Sequence, residues 1–326
     1  MKENKNISII LAPFGIGGPN DAAKDGPSAL LRFGVLEDLK EIGFNVKKIS
    51  PPKTLITISK QETIKKNRIK NVDAILQINE WLSHTVQSSI KEGYIPLTIG
   101  GDHSLAIGTI SGITSILNNT GVLWIDRHFD AHSPKNTPSW RAHGMPVSIA
   151  ISKENYDPHP DFQELLHLSK NKRLPKVKPE NFVQIGIGEG SRVKPPTKWY
   201  SMEDLDNMGI NKIIDLALNH LLKRVKNIYV AWDIDSMNVT GTGTSGDGQL
   251  TLREGLQIAR AINKKIRLQG RLAGFETMEI APSLERKNLK GQTADWATQL
   301  INASFGVNLF NNPSRMTRNI NMHALK

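Results

Sequence analysis

The sequence predicts an α/β fold, a three-layer sandwich in which a mostly parallel sheet of about eight strands is covered by helices on both faces. Short apolar runs that are typical of buried strands recur along the 326 residues. Most of them are separated by longer segments with helical periodicity. Such alternation favours a parallel sheet, because a parallel connection needs a crossover that is long enough to hold a helix.

The predicted elements follow from these patterns in chain order. Strands are predicted at residues 7–12, 44–49, 94–99, 121–125, 182–187, 198–201, 228–234 and 271–275. Helices are predicted at residues 27–41, 72–91, 202–223, 252–265 and 293–305. No repeat, low-complexity linker or compositional break interrupts the series, so we predict a single domain over residues 1–310. Residues 311–326 lack apolar periodicity and are predicted to form an irregular basic tail.

Two of the predicted helices carry capping signals at their start. Thr251 precedes the helix at 252–265, and Glu254 follows three residues later, which is the spacing of a capping box. Asp204 and Asn207 are candidate cap or first-turn residues of the helix at 202–223.

Composition narrows the range of functions. The chain contains no cysteine, which excludes disulfides and leaves nitrogen and oxygen as the ligands for any metal. No apolar run approaches the roughly 18 residues of a membrane span and no targeting segment is visible, so we expect a cytoplasmic protein without a membrane partner. The net charge of +11 raises nucleic acid as a partner. The lysines are scattered, however, rather than interleaved with aromatic side chains, so we expect no nucleic-acid partner.

The most informative stretch follows the predicted strand at 121–125. Asp126, His128, Asp130 and His132 occupy every second position, so they point the same way if the chain stays extended. Carboxylate oxygens and imidazole nitrogens are ligands for Mn, Zn, Fe or Ni, and converging carboxylates would repel one another without a cation. The alternative is a polar loop that contains these residues by chance.

Similar groups lie at the ends of three other predicted strands. Asp233 and Asp235 lie at the end of one of them, His103 follows a second, and Glu279 follows a third. In open α/β sheets, ligands bind beyond the carboxyl ends of the strands. Two cations held there could share a water, whose pKa would fall far enough to give hydroxide near neutral pH. The candidate metal ligands are His103, Asp126, His128, Asp130, Asp233 and Asp235.

Charge favours a small cationic substrate over a phosphate ester. The four aspartates among the candidate ligands carry −4, two divalent cations carry +4 and one hydroxide carries −1, so the loaded site is slightly negative. A phosphoryl-transfer site would normally add arginine or lysine to meet the phosphate oxygens, which makes a phosphatase the weaker alternative.

The motifs, in this order, resemble those of the arginase or ureohydrolase family, which includes arginases, agmatinases and guanidinobutyrases, and the pattern is most similar to that of arginases. They cover nearly the whole chain: Ala12-Pro-Phe-Gly-Ile-Gly17, Asp25-Gly-Pro-Ser-Ala-Leu30, Gly100-Gly-Asp-His-Ser104, Asp126-x-His-x-Asp130, His143-Gly-Met-Pro-Val-Ser148, Asp233-x-Asp235 and Glu276-x-x-Glu279. The resemblance implies a hydrolase with two Mn²⁺ ions, other divalent first-row metals being possible. It would cleave a guanidino C–N bond with a metal-bridging hydroxide and release urea. It also implies a homo-oligomer, either a trimer or a hexamer.

The resemblance further implies a role for each candidate. The first Mn²⁺ would be held by His103, Asp126, Asp130 and Asp233, and the second by Asp126, His128, Asp233 and Asp235. Asp130 would thus belong to the catalytic centre, with His143 as a proton shuttle and Glu279 as the carboxylate that orients the guanidinium. Thr244 matches a position near that carboxylate, although three residues are missing just before it. On the residues alone, His143 could be a loop residue, Glu279 a helix cap and Gly100-Gly101 a tight turn.

The substrate-recognition positions depart from the family pattern. His132 replaces an Asn, and the family's Ser-Gly-Asn becomes Ser139-Trp140-Arg141. Near the positions of acidic groups that meet a substrate ammonium, the chain has Ser191, Arg192 and Lys194. Fewer anions and more cations would repel an α-ammonium while accepting a carboxylate.

Two substrate hypotheses therefore stay open, L-arginine from the family default and a guanidino carboxylate from the altered residues. Trp140 could alternatively close the pocket over a smaller guanidine compound or stack on a guanidinium. The competing hypothesis from another class is a metal-binding, catalytically silent relative that acts through assembly or partner binding.

Overall fold

The computed structural model describes residues 4–168, 174–188, 193–244 and 248–308. Within them, eight strands form one sheet: β1 (Asn6–Ala12), β2 (Asn45–Ile49), β3 (Ile95–Gly100), β4 (Thr120–Ile125), β5 (Phe182–Ile187), β6 (Lys198–Ser201), β7 (Asn227–Asp233) and β8 (Leu272–Met278). Their spatial order is β2-β1-β3-β8-β7-β4-β5-β6, and every neighbouring pair is parallel. The predicted α/β class is confirmed, and the sheet is parallel throughout.

Helices cover both faces of this sheet. The α-helices in the described residues are α1 (Gly26–Arg32), α2 (Val35–Glu41), α3 (Lys53–Ile58), α4 (Val72–Lys91), α5 (Ala106–Ile116), α6 (Pro146–Ile151), α7 (Pro160–Leu166), α8 (Met202–Met208), α9 (Ile210–Arg224), α10 (Leu252–Ile262) and α11 (Gln292–Phe305). Among these helices, none combines the length and hydrophobicity that crossing a bilayer requires.

Side chains of successive strand residues enter two separate hydrophobic cores. In β4, Val122 and Trp124 pack into one core and Leu123 and Ile125 into the other. The first core is completed by α4 to α7, and the second by α1, α2 and α8 to α11. Because both faces of the strand are covered, residues 122–125 of β4 form a continuous apolar run, as expected for a buried parallel strand.

Two predicted helices are each interrupted by a glycine. The segment predicted at 27–41 is divided at Gly34, and the segment at 202–223 is divided at Gly209. Both glycines have positive φ, 82° and 78°, a conformation that ends a helix and that glycine adopts without steric penalty. Apolar periodicity continues across each break, which explains why the sequence pattern indicated single helices.

The helix starts agree with most of the capping signals. Thr251 and Glu254 form the predicted capping box of α10. Asp204 belongs to a second capping box in which Ser201 is the cap, whereas Asn207 lies beyond the first turn of α8. The division into one domain over 1–310 and a tail stays a prediction, since residues 311–326 lie outside the described residues.

The carboxyl ends of β3, β8, β7 and β4 lie side by side in the middle of the sheet. Gly101, which follows β3, runs against the backbone of Phe14, whose carbonyl accepts the N–H of Asp102 at 3.0 Å. The Gly101 carbonyl accepts the N–H of Glu279 at 2.7 Å, so β3 and β8 stay connected beyond their ends. A Cβ at Gly101 would lie 1.9 Å from the Phe14 carbonyl oxygen.

We therefore expect Gly101→Ala to lower the free energy of unfolding by about 3 kcal/mol or more, because the clash is with backbone rather than with a flexible side chain. Urea denaturation measures the difference. Gly144→Ala is the control, since its Cβ would meet its nearest neighbour, His132 Cδ2, at 3.5 Å, an ordinary contact. An equal loss in both variants would contradict the interpretation.

Candidate metal centre and active site

Four of the candidate ligands come together around one imidazole nitrogen. His103 Nδ1 lies 2.9 Å from Asp233 Oδ2, 3.1 Å from Asp126 Oδ2 and 3.2 Å from Asp130 Oδ2. All four side chains are buried. These separations are close to the roughly 3 Å expected between adjacent ligands of an ion with bonds of about 2.1 Å.

A second group lies beside the first and shares one residue with it. His128 Nδ1 is 2.9 Å from Asp235 Oδ2 and 3.6 Å from Asp126 Oδ1. Asp126 therefore offers Oδ2 to the first group and Oδ1 to the second, which is the arrangement of a bridging carboxylate. Asp233 belongs to the first group, and its Oδ1 accepts the N–H of Asp235 at 2.8 Å.

The hydrogen bonding of His103 indicates that these groups suit a cation. Three carboxylate oxygens surround Nδ1, yet neither ring nitrogen has a hydrogen-bond partner among the described residues. Burying an imidazole without a hydrogen-bond partner costs free energy, unless the lone pair of the ring nitrogen binds another group such as a metal ion. Oxygen and imidazole donors that converge on a common point are the ligand set of a divalent transition metal. The buried cluster therefore suits a binuclear metal site.

The charges of the cluster are strongly coupled when no cation balances them. Burial and repulsion by Asp126 raise the pKa of Asp130 to about 7. Burial, Asp235 and Asp126 raise the pKa of Asp233 well above its usual value. Burial opposes the charged form of His128, but Asp235 and Asp126 outweigh it and raise the pKa of His128 to about 12. Protons thus occupy the cluster at neutral pH, and bound cations would replace them.

The predicted extended alternation is wrong beyond Asp130. Asp130 has a φ of 47°, so the chain turns there and is not a strand after Ile125. Asp126, His128 and Asp130 converge, but His132 does not join either group. His132 Nδ1 instead lies 3.4 Å from Asn136 Oδ1, and its backbone N–H donates to the Gly144 carbonyl at 2.8 Å.

Glu279 presents a buried acceptor next to the cluster. Its Oε1 accepts the N–H of His103 at 2.9 Å, whereas Oε2 has no hydrogen-bond partner in the part of the chain that the structure describes. Burial and the neighbouring Asp102 raise the pKa of Glu279 well above its usual value. Gly243 contacts this carboxylate so closely that a Cβ there would lie 2.2 Å from Oε2.

Thr244 contacts the cluster directly. Its hydroxyl donates to Asp235 Oδ2 at 2.5 Å. Although three residues of the family pattern are missing just before Thr244, its hydroxyl still contacts a candidate metal ligand.

His143 lies near the same cluster and is partly buried. Burial and the positive charge of His128 lower the pKa of His143 to about 4, so its imidazole is neutral at pH 7. Its backbone N–H donates to the Gly17 carbonyl at 3.2 Å, which anchors the loop that carries it.

The predicted recognition residues Ser139, Trp140 and Arg141 make contacts within their own loop and with other segments of the chain. The Ser139 hydroxyl accepts the N–H of Arg141 at 3.3 Å. The Arg141 guanidinium donates to the Gly18 carbonyl and lies 3.9 Å from Glu62 Oε1. The Trp140 ring packs edge-on against His159 with centroids 5.6 Å apart.

Lys194 is exposed, and its ammonium lies 5.2 Å from the centroid of the Trp199 ring. That ring packs against Phe129, which lies between two candidate ligands. Ser191 and Arg192 lie outside the described residues.

Two residues that support His103, Trp124 and Glu276, were not assigned a role from the sequence pattern. Trp124 stacks on the His103 ring, with centroids 4.1 Å apart and planes 8° apart, and its Nε1–H donates to Asp126 Oδ2 at 2.9 Å. Glu276 Oε1 lies 3.7 Å from His103 Nε2, and burial raises the pKa of Glu276 to about 7. Trp124 precedes Asp126 by two positions on a strand, a spacing that could have indicated a shared side.

The family model for the arginase family matches residues 5–306. The chain belongs to the arginase family. It is 35% identical to arginase-1 of Oryctolagus cuniculus, over 94% of each protein, and 32% identical to an arginase of Staphylococcus aureus, over 95% of this chain and all of the relative. The crystal structure of the Bacillus subtilis arginase superposes with a TM-score of 0.79 at 28% identity, covering 94% of this chain and all of the other.

This arginase-family protein is thus a metal-dependent ureohydrolase, and its buried cluster fits the binuclear site of such enzymes. The predicted resemblance and the predicted enzyme class are confirmed.

Because Asp126 offers one oxygen to each group, we expect Asp126→Asn to lose at least one bound ion per chain. Metal content after equilibrium dialysis against MnCl₂ measures this by plasma mass spectrometry. Asp73→Asn on α4 makes the same charge change at an exposed site and should keep the full content. Two ions in Asp126→Asn would exclude the bridging role.

Proposed function

We propose that the protein is a binuclear manganese hydrolase that cleaves a guanidino C–N bond and releases urea. The observation that supports this most directly is the convergence of four buried side chains on a common point, beside a second group that shares Asp126. Manganese fits the donor set because four of the six ligands are carboxylates, and oxygen-rich sites suit Mn²⁺ better than sulfur-selecting metals. Zn²⁺ and other first-row ions remain chemically compatible with the imidazoles.

In this proposal the first ion would be held by His103, Asp126, Asp130 and Asp233, and the second by Asp126, His128, Asp233 and Asp235. When bound, two such ions would lower the pKa of water enough to supply hydroxide near neutral pH. The chain's own contribution is to hold the metal ligands rigidly in a buried cluster and to position the substrate. Trp124 contributes by fixing both the ring plane of His103 and one oxygen of Asp126.

Glu279 would bind the guanidinium. Its Oε2 is a buried acceptor without a partner among the described residues, and a planar guanidinium is the donor that best matches a carboxylate. A positively charged substrate would also lower the raised pKa of Glu279, because an adjacent cation favours the ionised form. The alternative role as a simple helix cap does not explain why Oε2 is left free.

His143 would exchange a proton with the departing amine. The leaving nitrogen must gain a proton as its bond to the guanidino carbon breaks, and a side chain within reach can deliver it. Burial keeps the pKa of His143 low, so the neutral imidazole can accept a proton from the reacting groups and pass it on. Its electrostatic coupling to His128 and Asp235 supports a position beside the metal centre.

The cationic side chains of Arg141 and Lys194 support a guanidino carboxylate as the substrate. Arg141 and Lys194 would repel a free α-ammonium and attract a carboxylate. The contact of Lys194 with Trp199, and of Trp199 with Phe129 in the segment of candidate ligands, supports a position of this charge near the centre. L-arginine is the second candidate, and it is favoured by relatives that are themselves arginases.

Urea release from a panel of guanidino compounds tests the proposal. With the Mn-loaded protein, we expect kcat/KM for 4-guanidinobutyrate or 3-guanidinopropionate to exceed that for L-arginine by roughly 10²-fold, because the α-ammonium loses an anionic partner and meets a like charge. Agmatine serves as the compound without a carboxylate. Lys194→Glu should shift the preference towards L-arginine.

Lys198→Glu is the matched control for Lys194→Glu, since Lys198 lies over Tyr200 in the same segment. It should leave the preference unchanged. A wide margin in favour of L-arginine would exclude the guanidino-carboxylate substrate, and no urea from any compound would favour the catalytically silent relative.

We expect His143→Ala to lower kcat by roughly 10²-fold or more, because the variant lacks the imidazole that would transfer the proton. Metal content should stay unchanged, which separates this effect from loss of the centre. His84→Ala removes an exposed imidazole on α4 and should have full activity. If kcat of His143→Ala equals that of the unmodified protein, His143 is a structural loop residue.

Assembly into a homo-oligomer and location in the cytoplasm stay predictions from the sequence.

A further inference from the structure

A cavity opens beyond the amino ends of the strands, on the opposite side of the sheet from the metal centre, which lies at their carboxyl ends. It lies at the amino ends of β4 and β5, where Thr120 begins β4 and Asn181 precedes β5. The six residues of β4 separate it from Asp126, a distance of roughly 20 Å along the strand. Its volume is about 480 Å³, within the range of small-molecule sites.

The lining of this cavity has an excess of positive charge. Lys176, Lys178 and Arg224 face one acidic lining residue, Glu180. Within the described residues, none of the three cations forms an ion pair with a carboxylate. The adjoining stretch at 169–173 reads Ser-Lys-Asn-Lys-Arg, so it contains no acidic side chain that could neutralise them.

Lys176 is the unusual member of this set. Only 4% of it is exposed, and its ammonium donates to the carbonyl of Leu166, the last residue of α7. An ammonium has three donors, and this carbonyl accepts only one of them. Burial lowers the pKa of Lys176 to about 7, because removal from water disfavours the charged ammonium. Lysine is rarely buried to this extent without an anionic partner, and Lys176 forms no ion pair with a carboxylate of the described residues.

The other lining groups fit an organic anion. Arg224 offers a planar fork of N–H donors that matches carboxylate or phosphate oxygens. Asn181 and Thr120 add neutral polar groups, and Leu174 and Pro175 add an apolar wall for a carbon skeleton.

We propose that the cavity lined by Lys176, Lys178 and Arg224 binds a small organic anion that carries carboxylate or phosphate groups, at a site separate from the metal centre. The anion supplies the countercharge that Lys176 lacks, and Arg224 and Lys178 hold it from the open side.

Calorimetric titration of the metal-loaded full chain tests this proposal in two arms, with inorganic phosphate and with succinate. We expect saturable binding in at least one arm with a Kd below about 1 mM, and the responding arm identifies the preferred group. Arg224→Gln and Lys178→Gln should each raise Kd about fivefold or more, because a charge-assisted hydrogen bond is lost. Both side chains are exposed, so the variants should fold normally.

Lys223→Gln is the matched control, an exposed lysine beside Arg224 that does not line the cavity. It should keep the original Kd, and so should Asp126→Asn, which alters the metal centre. Lys176→Met should abolish binding without lowering the melting temperature at neutral pH. The proposal is overturned if neither anion shows saturable binding below about 20 mM. It is also overturned if Lys223→Gln weakens binding as much as Arg224→Gln, if Asp126→Asn abolishes binding, or if Lys176→Met binds normally.

Discussion

Mutual repulsion among buried carboxylates is the constraint on which the centre of this protein depends. Asp126, Asp130, Asp233 and Asp235 lie together at the ends of two neighbouring strands, where little water reaches them. Without cations the cluster can be accommodated only by taking up protons, as the raised pKa of Asp130 and Asp233 indicates. Protons and metal ions therefore compete for the same oxygens, and the balance shifts towards the metal as pH rises. Bound metal ions would thus contribute to the stability of the cluster as well as to its chemistry.

Rigidity around the cluster comes from residues that are not ligands. Trp124 fixes His103 by stacking and Asp126 by a hydrogen bond, so one side chain orients members of both groups. Asp102 accepts the N–H groups of Gly17 and Ser104, which ties the turn that carries His103 to the segment after β1. Glycines allow these backbones to approach each other, above all Gly101 against Phe14. A ligand cluster supported in this way is pre-organised, so the ligands would need little rearrangement on binding of ions.

The sequence predicted the parts of the structure that depend on periodicity and failed where the backbone changes direction. Strand ends and candidate ligands followed from apolar runs and alternate spacing, and the convergence of Asp126, His128 and Asp130 agrees with that. The predicted alignment of His132 with these three residues is wrong because the left-handed conformation of Asp130 ends the alternation, whereas its role in substrate binding stays a prediction. Helix α5 was missed because nearly all of its residues are buried, so it has no polar face to create a helical pattern. Glu276 had no assigned role because its partner, His103, is distant in sequence and meets it only through strand pairing.

The loop that carries Ser139, Trp140 and Arg141 keeps its geometry in a different way from the buried metal cluster. Trp140 has a φ of 58°, a conformation that costs a bulky residue about 1–2 kcal/mol and that the glycine of the family pattern adopts freely. The conformation is held by several contacts at once: the Trp140 N–H donates to Thr137 Oγ1, the Trp140 carbonyl accepts the N–H of Lys70, and the ring packs on His159. Strain of this kind persists only where the surroundings fix it, and it is concentrated at functional sites. The contacts of Trp140 lie with residues 70, 137 and 159, which are not candidate metal ligands, so a substitution in this loop would leave the contacts of the metal cluster intact.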